Sequence, residues 1–344
     1  MKSILFVLDH KLHHYRAPLF DRLGQYFNVV VCHRGPMLAG SYKFAQTVLH
    51  YYSVGPFEFV RRLGSLDNYD AVVFMQNLRI LNIYSAPFCR KKAALLFWGI
   101  GTSSASGLGS ESWVSVQVRN LVMWAYNGTA LYSEFPLTRY WKVCREKVSI
   151  VGNSVVSDGV DTSSEYKEYF LFIGSLDKRK GLDLLLDSFN AAVSINKDLK
   201  LLIAGGGPEL SALQQMVNRY GLQDCVHFLG PVYDSELKLK LFKKAFCVIS
   251  PLQAGLSVVE SFSYGVPFVT SSRAVSGGES MSIKDGVNGV LFEDSSELSD
   301  IILSFKDGRR SSAMLGRSAY CLYREELAFD FYVQRFKSFL DKNI

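Results

Sequence analysis

The sequence predicts an α/β protein built from two doubly wound domains that face each other across a cleft. Short apolar runs alternate with longer amphipathic ones along the chain, as strands of a parallel sheet alternate with crossover helices. The series runs once, pauses in the Ser-, Asp- and Gly-rich stretch 154–167, and restarts. The 344 residues, 48% hydrophobic and 20% charged, suit two domains that each bury a core.

In the first half, strands are predicted at residues 3–8, 28–32, 71–74, 93–98, 128–132 and 148–151, each a short apolar run. Helices are predicted at 17–26 and 111–126. The second half opens with a strand at 169–173 and a helix from 181 to about 193. Strands follow at 199–204, 225–228, 245–250 and 266–270, with helices at 209–220 and 235–244 and another beginning at 258. The tail 309–340 reads as helical. The domains are expected at 1–155 and 156–325, with a terminal helix, 326–344, packing back toward the first.

The longest apolar runs, 93–101 and 247–252, fall short of the roughly 18 residues that a spanning helix needs. The run 4–8 is shorter than a secretory core of about 7–15 residues and reads as a first buried strand. The six cysteines Cys32, Cys89, Cys144, Cys225, Cys247 and Cys321 include no Cys-x-x-Cys pair, which argues against zinc and disulfides and suits the cytoplasm. Up to Val155 there are 17 Lys and Arg against 8 Asp and Glu; the remainder carries 21 against 24. A basic first half fits an anionic partner such as a phospholipid surface, a lipid-linked phosphate or nucleic acid, and equally an ordinary solvated surface.

Three stretches of the second half carry chemistry. Gly174, Ser175, Leu176, Asp177, Lys178, Arg179, Lys180 and Gly181 follow a strand directly. A glycine there permits close backbone approach, and Arg179 and Lys180 supply cations for a diphosphate. Gly205, Gly206, Gly207 and Pro208 form a second turn between strand and helix; it lacks the third glycine of a dinucleotide fingerprint, and no P-loop occurs. The third stretch runs from Ser250 through Gly255, Leu256 and Ser257 to Glu260. Amides at a helix start there would face an anion, and the Glu260 carboxylate can accept two hydroxyl hydrogens, as a ribose diol presents them.

In their order and spacing over residues 169–295, these stretches resemble the family 4 retaining glycosyltransferases. The family order is a Gly-x-Leu turn ending in Lys-Gly, a Gly-x-Gly-Pro turn, Phe-Leu-Gly (here Phe228, Leu229, Gly230), the strand-to-helix segment, and an Asp-Gly-x-x-Gly loop (here Asp285 to Gly289). In the first half, His14, Tyr15, Arg16, Ala17, Pro18, Leu19 and Phe20, and also Phe97, Trp98 and Gly99, resemble members that build bacterial surface polysaccharides. The resemblance implies the GT-B fold, two Rossmann-like domains, with the donor in the second. It implies transfer from a nucleoside diphosphate sugar to a saccharide hydroxyl with retention, on a lipid-linked acceptor at the inner face of the cell membrane. Catalytic roles then fall to Lys180 and Arg179. Donor contacts fall to Gly174, Ser175, Gly205, Gly207, Ser250, Gly255, Leu256, Ser257 and Glu260, and acceptor-side roles to His14 and Arg16. No cofactor, metal or nucleic acid enters this reading.

Three positions depart from the family. Leu252 stands where the first of two glutamates, eight positions before Glu260, commonly holds the donor sugar. Ser175 stands in place of an arginine, and Ile100 in place of a histidine. Three other classes fit parts of the pattern: a sugar-nucleotide epimerase of the same fold, a nicotinamide-dependent oxidoreductase, and a non-catalytic nucleotide-binding protein.

Overall fold

The computed structural model describes residues 1–61, 64–90, 92–102 and 111–344. It divides into two compact units. Of the described residues, one comprises 1–102 and 111–156 together with Phe329–Ile344, and the other is Ser157–Ala328.

The first unit holds a parallel sheet and a hairpin. Its strands are β1 (Ser3–Lys11), β2 (Asn28–Arg34), β3 (Phe44–Val48), β4 (His50–Val54), β5 (Phe57–Arg61), β6 (Ala71–Met75), β7 (Ala94–Gly99), β8 (Gly128–Leu131) and β9 (Val148–Ile150). The sheet order is β3-β2-β1-β6-β7-β8-β9, with β4 and β5 paired antiparallel apart from it. Every residue of β7 is buried, which is why the strand reads as one apolar run rather than an alternation. The helices are α1 (Ala17–Leu23), the single turns α2 (Ala86–Cys89) and α4 (Lys142–Arg145), and α3 (Trp113–Ala125).

In the second unit the strands are β10 (Tyr169–Ile173), β11 (Leu201–Ala204), β12 (Val226–Gly230), β13 (Ala245–Ile249), β14 (Phe268–Ser271) and β15 (Gly289–Phe292), in the order β12-β11-β10-β13-β14-β15. All are parallel. The crossovers are α5 (Leu182–Ile195), α6 (Leu210–Tyr220), α7 (Ser235–Lys243) and α8 (Leu256–Ser263), followed by α9 (Glu297–Lys306) and α10 (Ser312–Leu322). A core on one face of the sheet joins Phe170, Phe172 and Ile203 of the strands to Leu185 and Phe189 of α5 and Ile302 of α9.

Several expectations need correction. The first helix ends at Leu23, not Tyr26, and residues 24–26 form a turn in which Gly24 lies against the Lys43 backbone, where a side chain would collide. β3, β4, β5 and β15 were not anticipated. The tail is not one helix: a π-helical turn, Tyr323–Leu327, and the extended Ala328 separate α10 from α11 (Phe329–Asn343). The second unit therefore runs past residue 325 to Ala328. α11 packs Phe336 against Phe6 and Trp98, with ring centroids 5.8 and 5.2 Å apart.

The stretch 154–167 is not a loose connector. From Ser157 onward it is tied into the second unit. Thr162 Oγ1 donates to the Tyr264 carbonyl at 2.7 Å, Tyr320 donates to Gly159, and Arg317 pairs with Asp161. Lys167 is buried, which lowers its pKa to about 8, and donates to the Thr162 and Lys243 carbonyls. Among the described residues no helix is long and apolar enough to cross a membrane.

Candidate functional site

In the second unit the strand order reverses direction between β10 and β13. The chain winds one way to β11 and β12, then returns to β13 on the other side of β10. Connections leaving two such neighbouring strands part to opposite faces, which opens a crevice at their carboxyl ends. The loop after β10 is the 174–181 turn, and the loop after β13 runs from Ser250 into α8.

The first loop is shaped by its own polar groups. Asp177 caps the 3-10 turn Lys178–Lys180 by accepting from the Arg179 amide at 3.2 Å, and Ser175 Oγ donates to Asp177 at 2.7 Å. Arg179 turns back to pair with the same carboxylate at 3.2 Å and remains 71% exposed. Lys180 turns inward instead. Its Nζ lies 3.9 Å from where a Cβ would stand on Gly174, whose φ of +152° suits glycine. Burial pulls the Lys180 pKa below its ordinary 10.5; Asp177 and Glu279 oppose that shift, and Arg179 adds to it. Lys180 is thus a partly desolvated cation close to bare backbone.

Gly205 and Gly207, expected to contact the donor, have a packing role in the structure. A side chain at Gly205 would collide with the Gly174 carbonyl, and one at Gly207 with the Leu176 backbone. Leu176 donates to Gly206 at 3.0 Å, and Glu209 donates to Leu176 at 3.1 Å. These glycines let the second turn nest against the first and hold its shape.

The loop after β13 is pinned from below. The buried Ser250 donates through Oγ to the Gln253 carbonyl at 2.7 Å, and Thr270 Oγ1 donates to the Ser250 carbonyl at 2.8 Å. Gln253 pairs with Val275 as an isolated bridge. The loop then meets the first one directly: the Leu252 amide donates to the Lys180 carbonyl at 3.2 Å. Gly181, at φ +70°, has no room for a Cβ, which would stand 2.6 Å from Leu252 Cγ.

Beyond that contact, Gly255 caps α8 and faces open space, and no side chain caps the helix start before Leu256 and Ser257. Ser257 Oγ and Gln253 Oε1 are shielded from solvent without a hydrogen-bond partner. Buried polar atoms left in this state are costly, and here they lie beside a helix N-terminus, where an anion is favoured. Glu260 follows one turn on. Its Oε1 accepts from Lys238 Nζ at 2.7 Å, with both side chains mostly buried.

Sequence reasoning missed Lys238, Gln253 and Glu279. Lys238 reaches the site from α7, so no spacing within a motif marks it. Glu279 is buried and accepts from the Gly277 amide at 2.9 Å and from Ser276 Oγ at 3.2 Å. A Gly-Gly-Glu run after a strand was its only signal.

In the first unit the order reverses between β1 and β6, and polar groups again gather at the carboxyl ends. Asp9 accepts from His10 at 2.6 Å and from Asn77 at 2.8 Å. Burial would raise its pKa, but these bonds hold it below the usual carboxylate value. Arg16 lies over the Trp98 ring at 4.8 Å and donates to Tyr132 at 2.9 Å, while its Nε and Nη1 are shielded and unpartnered. Trp98 Nε1 and the Gln76 amide are orphaned in the same way. His13 is half-buried, and burial and the neighbouring cations lower its pKa to about 4. His14 is exposed beside Tyr15. An open polar hollow lined by Asp67, Asp70, Arg90, Lys92 and Asn343 lies at the opposite, amino ends of these strands.

Residues 159–321 match the family model of glycosyl transferases group 1. The chain is 29% identical over 142 residues to the D-rhamnosyltransferase WbpZ of Pseudomonas aeruginosa, covering 37% of this chain and 35% of that protein. It is 28% identical over 142 residues to the O-antigen chain mannosyltransferase RfbU of Salmonella typhimurium, covering 40% and 39%. The matches thus span well under half the length of these relatives. The Anabaena protein HepE, crystallised with UDP and glucose, is similar in fold, with a TM-score of 0.71 over 99% of this chain and 100% of that one, at 17% identity. Residues 159–321 are therefore a group 1 glycosyl transferase domain within a GT-B fold, and the chain resembles the glycosyltransferases that build bacterial surface polysaccharides.

Proposed function

We propose that this protein is a retaining glycosyltransferase. It moves a sugar from a nucleoside diphosphate sugar to a hydroxyl of a saccharide acceptor, itself lipid-linked, at the cytoplasmic face of the membrane. One observation carries the reading. The Leu252-to-Lys180 hydrogen bond joins the turn after β10, which carries the half-buried Lys180, to the loop after β13, which leads into the α8 N-terminus and Glu260. A nucleoside diphosphate needs those three partners. The amides of Leu256 and Ser257, Ser257 Oγ and Lys180 take the diphosphate, and Glu260 takes the ribose hydroxyls. HepE holds UDP and glucose on the same fold, which supports this class of donor.

In the reaction the bond from the anomeric carbon to the diphosphate oxygen breaks, and an oxocarbenium-like centre forms. The negative charge that develops on the departing oxygen is stabilised by Lys180 and the helix N-terminus, with Arg179 adding a weaker, solvent-screened charge. The acceptor oxygen bonds to the anomeric carbon on the face the diphosphate leaves, and a diphosphate oxygen takes the acceptor proton. Configuration is retained without a protein nucleophile. His14 and Arg16 serve the acceptor side from the first unit.

Thermal shift against UDP-, GDP- and ADP-sugars tests the binding. A ligand at 100 times its Kd stabilises by about 2.7 kcal/mol. Product analysis with and without a saccharide acceptor tests the chemistry. Conversion of donor to an epimer without acceptor, or binding without transfer or hydrolysis, would each sink the proposal. Leu252, standing where a donor-holding carboxylate is usual, is the observation that favours the second outcome.

A further inference from the structure

The outward face of α3 is unlike that of an ordinary surface helix. Its exposed residues include Trp113, Val114, Val118, Leu121 and Trp124, and Trp113 and Trp124 are 74% and 57% exposed. The only charged residue on the helix, Arg119, is buried and paired with Glu111. By contrast α6, of similar length, shows Ser211, Gln214, Gln215, Asn218 and Arg219 to solvent. An apolar stripe of this extent left in water marks a contact surface.

Neighbouring residues extend the patch and give it a charged rim. Trp141, 41% exposed, is fixed beside the helix by an Nε1 hydrogen bond to Gln117 at 3.0 Å, and its amide donates to Asn120 at 2.9 Å. The exposed Val143 stands next to it, flanked by exposed Lys142 and Arg145. Lys147 closes the carboxyl end of α3, donating to the Trp124 and Tyr126 carbonyls at 2.7 and 2.9 Å. Residues 139–147 carry four basic side chains against Glu146 alone.

From this placement we propose that α3 and the Trp141–Val143 turn form a docking face for an anionic phospholipid bilayer. Trp113, Trp124 and Trp141 sit at the headgroup boundary, Val114, Val118 and Leu121 enter the acyl edge, and Lys142 and Arg145 meet the lipid phosphates. The charge decides between a bilayer and a second copy of the chain. A symmetric dimer through this face would bring two basic rims together, whereas an anionic surface neutralises them. The inference deepens the lipid-linked-acceptor reading and rests on it for its purpose, though not for its test.

Three of the protein's four tryptophans lie on this face, and the fourth, Trp98, is fully buried. Intrinsic fluorescence of the full chain therefore reports the contact. With vesicles of phosphatidylglycerol and phosphatidylcholine, a blue shift and cosedimentation are expected, both weakened by salt and absent with phosphatidylcholine alone. Trp113→Ser with Trp124→Ser should weaken partition at least tenfold. Lys142→Glu with Arg145→Glu, which leaves the apolar stripe intact, should weaken it by a similar factor. Both variants should keep the wild-type thermal shift with UDP, GDP or ADP. Absence of wild-type binding, or unchanged binding by the variants, overturns the proposal. So does a concentration-dependent dimer that the tryptophan variant abolishes, which would assign the face to a second copy. A wild type that binds vesicles yet shows no nucleotide shift would instead count against the donor reading alone.

Discussion

Leu252 donates its backbone amide to the carbonyl of Lys180 at 3.2 Å, and its side chain lies against Gly181, where a Cβ would stand 2.6 Å from Leu252 Cγ. The loop carrying the half-buried Lys180 and the loop leading to the α8 N-terminus are therefore packed together. The departure from the family pattern at Leu252 thus has a structural role: an apolar, partly exposed side chain lies over Gly181 where the two loops meet.

Gly181→Ala should disturb this seam in two ways. It places a side chain at φ +70°, strained by about 1 kcal/mol, and pushes Leu252 away from Lys180. A Tm lower by a few degrees is expected, with the KM for the sugar nucleotide raised about fivefold or more. An unchanged KM in steady-state assays would show that the seam does not position the donor.

Lys180 and Arg179 are adjacent in sequence but differ in setting, and this divides the catalytic roles between them. Lys180→Ala removes a preorganised charge from a shielded position and should slow turnover by about 10²–10³, or 2.7–4 kcal/mol of barrier. Arg179→Ala removes a solvated cation already paired with Asp177 and should cost less than about fivefold. Equal losses in the two variants, measured as kcat, would contradict this division.

Much of this arrangement is legible in the sequence, and the rest is hidden for physical reasons. The central strands β7 and β10 are buried throughout, so their apolar runs are plain. β3 exposes Ala45 and Thr47 at a sheet edge and reads as an ambiguous alternation. The β4–β5 hairpin is marked in the sequence only by Gly55-Pro56 between aromatic residues, a turn signal. Within the site, the residues on the two switch-point loops follow from motif spacing. Lys238 does not, because its contact with Glu260 depends on how α7 lies against α8. The glycines at 205 and 207 were recognised as turn residues, but their packing against the Gly174 and Leu176 backbone is tertiary information.

The depressed pKa of Lys180 gives nucleotide binding a pH signature. Burial favours the neutral amine in the free protein, whereas a bound diphosphate favours the ammonium and raises the pKa again. Binding at alkaline pH must then take up protons, and affinity should weaken as pH rises through the free-state pKa toward 10.5. Folding responds in the opposite sense. Over that window the unfolded chain holds its proton while the folded one has lost it, so the ligand-free protein gains stability with rising pH. Calorimetry at pH 9 in two buffers of different ionisation enthalpy should report the uptake. A Lys180→Met variant with the same uptake would assign the proton to another group.

Glu260 and Lys238 provide the sharpest test of how the nucleoside is held. Lys238 occupies one carboxylate oxygen at 2.7 Å and fixes the orientation of the other, so the pair acts as a unit. Glu260→Ala should weaken nucleoside diphosphate binding tenfold or more, about 1.4 kcal/mol. Lys238→Ala should weaken it by less, because the carboxylate remains but loses its orientation. The double variant should fall short of the summed losses by about 1 kcal/mol, as coupled contacts do. A 2′-deoxy nucleotide separates ribose recognition from a general loss of charge. If Glu260 accepts from the ribose hydroxyls, the wild type discriminates against the deoxy ligand and Glu260→Ala does not. If both proteins discriminate equally, the carboxylate belongs to the fold through Lys238, and the ribose must be held elsewhere in the crevice.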